Sequence, residues 1–398
     1  MKSLGKIAAI CLSAVLALVF VAWVTSPDPR GNVASFEDAP LDARLAPLSE
    51  AITLARYPGP DGAPTTMIVT RVEGDTVFGV NISELDGERS GNALRDLASV
   101  DRSRLTAERL GAASELSVDM SELLPVAPAG SRHIGTGTNF PEHAEESNSG
   151  SVFQFPKFGK ATPARTTVKA PDGVLLDYEV ELCIGFDRDI ASLVDFDDAV
   201  KGIFLCGDMT NRNALVELAD PDNLDSGFGF SDSKSGPDFY PSGPFLVVPD
   251  DWKEFVDGIR MTTGVNGEPR QDARGREMIL DFRQLAEKAL GDMEDARFSY
   301  RGDFHRLADG NRISADMTLM SGTSEGVIFM PPTRADYIEG VMAYILAGGP
   351  LSDTGLIDTV KRTFIANELA TKHFLQAGDL VRHDSNLLGN IEVRIVAP

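Results

Sequence analysis

An apolar run from Ile7 to Val24, broken only by Ser13, stands behind Lys2 and Lys6 and ahead of Thr25-Ser26-Pro27-Asp28-Pro29. At about 1.5 Å per residue a helix over it reaches about 27 Å, near the lower limit for a bilayer core of roughly 30 Å. Residues 1–26 therefore read as a signal peptide or membrane anchor, with no Ala-x-Ala site for cleavage. The two lysines, set against the acidic flank from Asp28 to Asp42, predict the bulk of the chain on the non-cytoplasmic side, exported or anchored.

Residues 27–45, rich in Pro, Asp and Ala without apolar period, read as a linker. Alternating runs at Ala51–Tyr57, Thr66–Val72 and Thr76–Val80, joined by Pro-Gly and Glu-Gly-Asp turns, predict a small β module over 46–130, with helical spacing from Asn92 to Arg109. Beyond it, strand patterns fall at Leu175–Phe186, Gly202–Asp208, Gly243–Val248, Met317–Gly322, Asp379–Val381 and Ile391–Val396. Helical ones fall at Asp195–Lys201, Leu280–Leu290 and Tyr337–Leu346. The expectation for 131–398 is an α+β, mostly β domain.

Charge narrows the partners. Asp plus Glu outnumber Lys plus Arg by 60 to 37, for a net charge of −23 over 398 residues. A nucleic-acid partner would demand a basic face, and no Lys/Arg run supplies one, so the expected ligand is a small molecule. Three cysteines, one of them inside the N-terminal apolar run, leave no disulfide scaffold and no Cys-based zinc module.

The densest chemistry lies in Asp177-Tyr-Glu179-Val-Glu181-Leu-Cys183. Strand period two puts Glu179 and Glu181 on one face, where two half-buried carboxylates must protonate or find a cation. Asp208, at the end of the next strand pattern, is placed to join them. Three hard oxygen ligands without His or Cys favour Mg²⁺ or Mn²⁺ over Ca²⁺. A second cluster, Asn139-Phe-Pro-Glu-His143-Ala-Glu-Glu146, starts on a proline suited to a first helical turn, so His143 and Glu146 share a face. A carboxylate beside an imidazole orients it as a general base for water.

These segments together resemble the fumarylacetoacetate hydrolase (FAH) family. The resemblance runs in order through Ile134–Glu146, Phe155–Lys160, Asp177–Leu182, Gly207–Arg212, Lys234 with Pro241–Pro244, Val265–Glu268, Ser321–Val327, Ala377–Val381 and Leu388-Gly389. It covers about 131–398 and leaves 46–130 as the variable N-terminal part. It implies a pseudo-barrel of mixed sheets around a divalent metal, often in a homodimer, with 2-oxo acids or diketo acids of the acylpyruvate or fumarylacetoacetate type as substrates. By the same resemblance Glu179, Glu181 and Asp208 match metal ligands, and His143 with Glu146 a water-activating dyad. Lys234 matches an electrostatic stabiliser. Arg212, Gly322 and Thr323 match substrate-binding positions.

The expected reaction is hydrolysis of a C–C bond. The alternatives are decarboxylation or tautomerisation on the same site, and a non-catalytic protein that binds a metal–carboxylate complex. Departures from the family pattern bear on the choice: Asn211, Asn213 and Leu215 replace Ala, Asp and Gln, and Ser324 replaces a proline. The insertion 328–373 is read as a cover, a partner contact or a packing elaboration. Gly322-Thr-Ser324-Glu-Gly326 also fits Gly-x-Ser-x-Gly, but the strand-like Val327–Met330 and Pro331-Pro332 that follow refuse the helix a nucleophile elbow needs. Cys183 and Cys206 are expected as small buried residues lining the metal floor, with a disulfide between them as the alternative. His133, His305 and His383 are expected to be surface or packing residues.

Overall fold

The computed structural model describes residues 2–27, 36–37, 39–147, 149–220, 223–351 and 353–398, without the side chains of 2–9, Leu12 and Arg104. Residues 28–35 and 38 of the expected linker thus lie outside the described residues.

Two compact units form, one from the N-terminal helix with Ile328–Phe374, the other from Val33–Val327 with Leu375–Pro398. The larger unit holds a ten-stranded sheet in the order Glu115–Asp119, Thr76–Asn81, Pro64–Glu73, Ala51–Pro58, Leu246–Pro249, Lys201–Gly207, Val180–Phe186, Leu319–Thr323, Arg132–Gly137 and Phe153–Phe158. A five-stranded sheet runs Glu268–Arg274, Arg260–Val265, Leu380–Ser385, Gly389–Val396 and Arg165–Lys169. Pairing is antiparallel except where Leu319–Thr323 meets Arg132–Gly137 and Gly389–Val396 meets Arg165–Lys169. Among the described residues neither sheet closes on itself, so the mixed-sheet fold is an open pseudo-barrel.

The strands expected at 51–57, 66–72 and 76–80 form, and Ala51–Pro58 pairs with Leu246–Pro249, so they extend the same sheet that carries the acidic strands. Core packing explains the central strands. Val180–Phe186 and Lys201–Gly207 lie inside the sheet and are buried along their whole length, which is why they read as apolar runs rather than alternating ones. The helical spacing over Asn92–Arg109 resolves into two short helices, Ala93–Ala98 and Ala107–Ala112, each opened by a capping side chain, from Asn92 and Thr106.

Sequence pattern did not find the hairpin of Arg260–Val265 and Glu268–Arg274, although Asn266-Gly267, both at positive φ, is the signal for one. It also missed the helix Leu356–Thr371, whose threonines weaken the helical signal. In the structure Thr359 and Thr363 donate to the carbonyls four residues back, at 2.9 and 2.8 Å.

The N-terminal helix Lys2–Val24 ends against the helix Arg334–Leu346 of the same unit. Trp23 Nε1 donates to Glu339 at 2.8 Å, and the Ala335 N–H donates to Ser26 Oγ at 3.0 Å. Among the described residues no helix is long and apolar enough to cross a membrane. That corrects the expectation of an exported or membrane-anchored chain with its bulk outside the cytoplasm.

Candidate active site

The chain arrives at Val180–Phe186 through a break. Leu176–Asp177 pairs with Thr210–Asn211 in a separate two-stranded ladder, so Tyr178 and Glu179 cross from one ladder to the next. Glu181 then sits opposite Cys206 on Lys201–Gly207, and the Asp208 N–H donates to the Glu179 carbonyl at 2.9 Å. The result gathers Glu179, Glu181 and Asp208, all buried, with one oxygen of each within 4.8 Å of the others.

Burying carboxylates demands compensation. Lys234 Nζ contacts Glu179 Oε2 and lies 3.1 Å from Asp208 Oδ2. Arg212 donates from Nε to Asp177 at 2.8 Å and from Nη2 to Glu179 at 2.9 Å. Lys157 donates to Asp208 Oδ1 at 2.6 Å and to the Lys234 carbonyl. Three cations thus face four carboxylates, and the shortfall falls on Glu181. Its Oε2 accepts the Gly322 N–H at 2.9 Å, while its Oε1 is buried with no partner among the described residues.

The electrostatics follow from this layout. Burial opposes the charged form of Glu179, but Lys234 and Arg212 outweigh it and hold the carboxyl at about 2. Burial, then the neighbouring charges of Asp208 and Glu179, push Glu181 well above the usual carboxylate range. Burial also pulls Lys157 below the ordinary lysine value, with Asp208 opposing. An unpartnered carboxylate oxygen that resists ionisation, inside a three-carboxylate set, is where a divalent cation fits.

Beside this set, the short helix Pro141–Glu146 carries the expected pair. His143 Nδ1 lies 3.1 Å from Glu146 Oε2. A carboxylate only accepts, so Nδ1 carries the hydrogen and Nε2 is left with its lone pair. Glu146 Oε1 accepts the Gly326 N–H at 3.0 Å. His143 lies near enough to Glu179 to interact with it electrostatically, so dyad and acidic set share one region.

The loop after Leu319–Thr323 closes that region. The Gly322 N–H is committed to Glu181, and the Thr323 hydroxyl donates to the Val180 carbonyl at 2.8 Å while accepting from Gln271 Nε2 at 2.9 Å. All nine residues singled out in the sequence therefore meet here: His143, Glu146, Lys234, Arg212, Gly322, Thr323, Glu179, Glu181 and Asp208. Arg212, expected at the substrate, is tied to Asp177 and Glu179. Ser324 contacts Gln271 and the Glu325 carbonyl, and no helix starts before Arg334, unlike a nucleophile elbow.

Sequence reasoning assigned no role to Lys157, Asp177 or Gln271. Lys157 had a readable signal, a lysine in phase with Phe153 and Phe155 on a fully buried strand face. Cys183 and Cys206 take the alternative left open: they form a disulfide, with Cα atoms 6.0 Å apart, joining the strands that carry Glu181 and lead into Asp208. Antiparallel register sets them diagonally across the pair, within disulfide reach. His133 and His383 are buried packing residues. His133 accepts the Thr318 N–H at 3.1 Å, and His383 Nδ1 lies 2.8 Å from Thr263 Oγ1. Burial drives them down to about 4 and about 3.

Comparison with known proteins bears on the fold and the family. An uncharacterized protein of Staphylococcus aureus (strain USA300) is 29% identical over 214 residues, 51% of this chain and 68% of its own. Among solved structures, the fumarylacetoacetate hydrolase of the psychrophilic Exiguobacterium antarcticum shares the fold at TM-score 0.50 and 18% identity, covering 87% of this chain and 100% of that one. A probable 2-hydroxyhepta-2,4-diene-1,7-dioate isomerase of Mycobacterium abscessus does so at TM-score 0.52 and 17% identity, covering 87% and 99%. The family described as fumarylacetoacetate (FAA) hydrolase C-terminal matches residues 132–396, the span that holds every residue of the site, and the chain belongs to that family.

Proposed function

We propose that this protein hydrolyses a C–C bond in a small 2-oxo or diketo acid of the acylpyruvate type, with Mg²⁺ or Mn²⁺ held by Glu179, Glu181 and Asp208. The observation that carries the reading is the unpartnered Glu181 Oε1 within the buried carboxylate set, beside a His143 whose Nε2 is left basic. A divalent ion there would supply Lewis-acid polarisation of the substrate's oxygens.

The chain's own residues do the rest. His143 Nε2 takes a proton from water, Glu146 stabilises the imidazolium, and hydroxide adds to the acyl carbon. The bond from that carbon to the neighbouring CH₂ breaks, its electron pair passing to the departing 2-oxo acid as an enolate. That enolate regains a proton at the CH₂ carbon, so one water yields a carboxylic acid and a 2-oxo acid. The Lys234 ammonium offsets negative charge developing on the keto oxygen in a low-dielectric site. Gly322 and Thr323 set the loop that would face the substrate carboxylate. A homodimer and a catalytic region spanning 131–398 belong to the same proposal.

A second reading, tautomerisation or decarboxylation, draws on one observation. Leu215 stands half-buried on the helix Arg212–Leu218, where the family pattern has a glutamine amide. The test is a panel of acylpyruvates and other 2-oxo acids with product identification. Cleavage should vanish with EDTA and return with Mg²⁺ or Mn²⁺, and His143→Ala should abolish it. Metal-independent cleavage would sink the metal assignment, and wild-type hydrolysis by the alanine variant would remove the dyad. Enolisation without cleavage would favour the second reading, and binding without turnover a non-catalytic role.

A further inference from the structure

Glu146 can orient His143 only if it is held itself, and one of its two oxygens rests on a single backbone group, the Gly326 N–H at 3.0 Å. That residue is constrained from two further directions. Gly326 has φ +93°, and a Cβ built on it would lie 2.2 Å from the Arg270 carbonyl oxygen, so the loop packs directly on the strand Glu268–Arg274. Its carbonyl accepts from Tyr178 Oη at 2.9 Å. Tyr178 Oη in turn accepts from Arg270 Nε at 2.7 Å. A guanidinium only donates and a phenol has one hydrogen, so the direction is fixed: Arg270 to Tyr178, and Tyr178 to the Gly326 carbonyl.

Tyr178 is fully buried and lies in the crossing between ladders, next in sequence to Glu179. The same short segment therefore carries a candidate metal ligand and a hydroxyl that ends, through one residue, on the candidate base's carboxylate.

We infer that Tyr178 is a positioning residue: backed by Arg270, it holds the Gly326 carbonyl, and through the N–H of the same residue it fixes Glu146 and the His143 ring relative to Glu179. The inference rests on the dyad reading above. Its consequence is readable without substrate, because the grip of Glu146 on Nδ1 sets the tautomer of His143.

The experiment is ¹⁵N NMR of the imidazole nitrogens in the full chain with Mg²⁺ present, at one pH above the imidazole range, with His143 assigned by a His143→Gln variant. Wild type should show an excess of more than about tenfold of the Nδ1–H form, as expected for a hydrogen bond to a charged acceptor. Tyr178→Phe should cut that excess at least about threefold, and Arg270→Gln, at a half-exposed position, should move it the same way by less. A tyrosine that merely filled space would lower the unfolding temperature and leave the tautomer alone. An unchanged tautomer in folded Tyr178→Phe overturns the inference while the dyad stands. Should that variant not fold, an unchanged tautomer in Arg270→Gln overturns it. Wild type without the Nδ1–H excess overturns the dyad reading, and the inference with it.

Discussion

Lys157 Nζ lies 2.6 Å from Asp208 Oδ1, and both side chains are 1% exposed. Neither group tolerates that burial alone, so the pair is obligatory rather than decorative. Removing one partner of a buried ion pair leaves an uncompensated charge and costs about 3–5 kcal/mol. Lys157→Met should lower the unfolding free energy by that order in urea, and should weaken Mn²⁺ binding as Asp208 turns to Lys234 alone. A variant with wild-type stability would show that Lys234 alone compensates Asp208.

Glu179 and Glu181 respond to pH with opposite signs. Glu179 is held at about 2, below its unfolded value of 4.5, so its contribution is complete above 4.5 and disappears as pH falls toward 2. Glu181 is raised, so the metal-free native state keeps a proton that the unfolded chain releases above 4.5, and stability falls as pH rises through its native value. Bound Mg²⁺ removes that penalty, because the ion takes the place of the proton. Urea unfolding in EDTA and in Mg²⁺ should therefore diverge progressively as pH rises above 4.5. Parallel curves would mean that Glu181 carries no trapped proton.

Gly326→Ala places a methyl group against the Arg270 carbonyl at a backbone angle that L-residues rarely adopt. Relief demands a shift of the loop, costing about 1–3 kcal/mol of stability. Because the N–H of the same residue holds Glu146, hydrolysis should fall further than stability does. The check is turnover measured well below the unfolding temperature, where intact activity would detach the loop from the dyad.

The disulfide between Cys183 and Cys206 spans 23 residues of sequence. A cross-link closing a loop of that length stabilises by about 2–4 kcal/mol. Cys206→Ala should lower the urea midpoint accordingly, and a reductant able to reach the buried pair should do the same to wild type but not to the variant. Equal midpoints for all three would mean the thiols are unpaired in solution.

Much of the site was legible because its residues are local in sequence. Glu179 and Glu181 are two apart, with Glu179 just ahead of the strand that carries Glu181, and His143 and Glu146 are three apart on one short helix. Lys157 was readable but unread, a lone lysine in phase with phenylalanines. Gln271 had no signal at all: an amide in a polar strand acquires meaning only when Thr323, from a distant loop, arrives 2.9 Å away.

From local periodicity and residue type alone came the strands, the acidic set, the dyad and the exclusion of a nucleic-acid partner. These depend on interactions within a few residues or on composition. Only the tertiary structure decided the charge balance around Glu181, the pairing of Cys183 with Cys206 and the Arg270–Tyr178–Gly326–Glu146 chain. It also corrected the reading of the N-terminal segment, which composition alone had placed across or beyond a membrane. Each of those rests on which groups meet after burial. The free energy of a buried charge or hydrogen bond is set by the partner it finds, and no spacing along the chain records that partner.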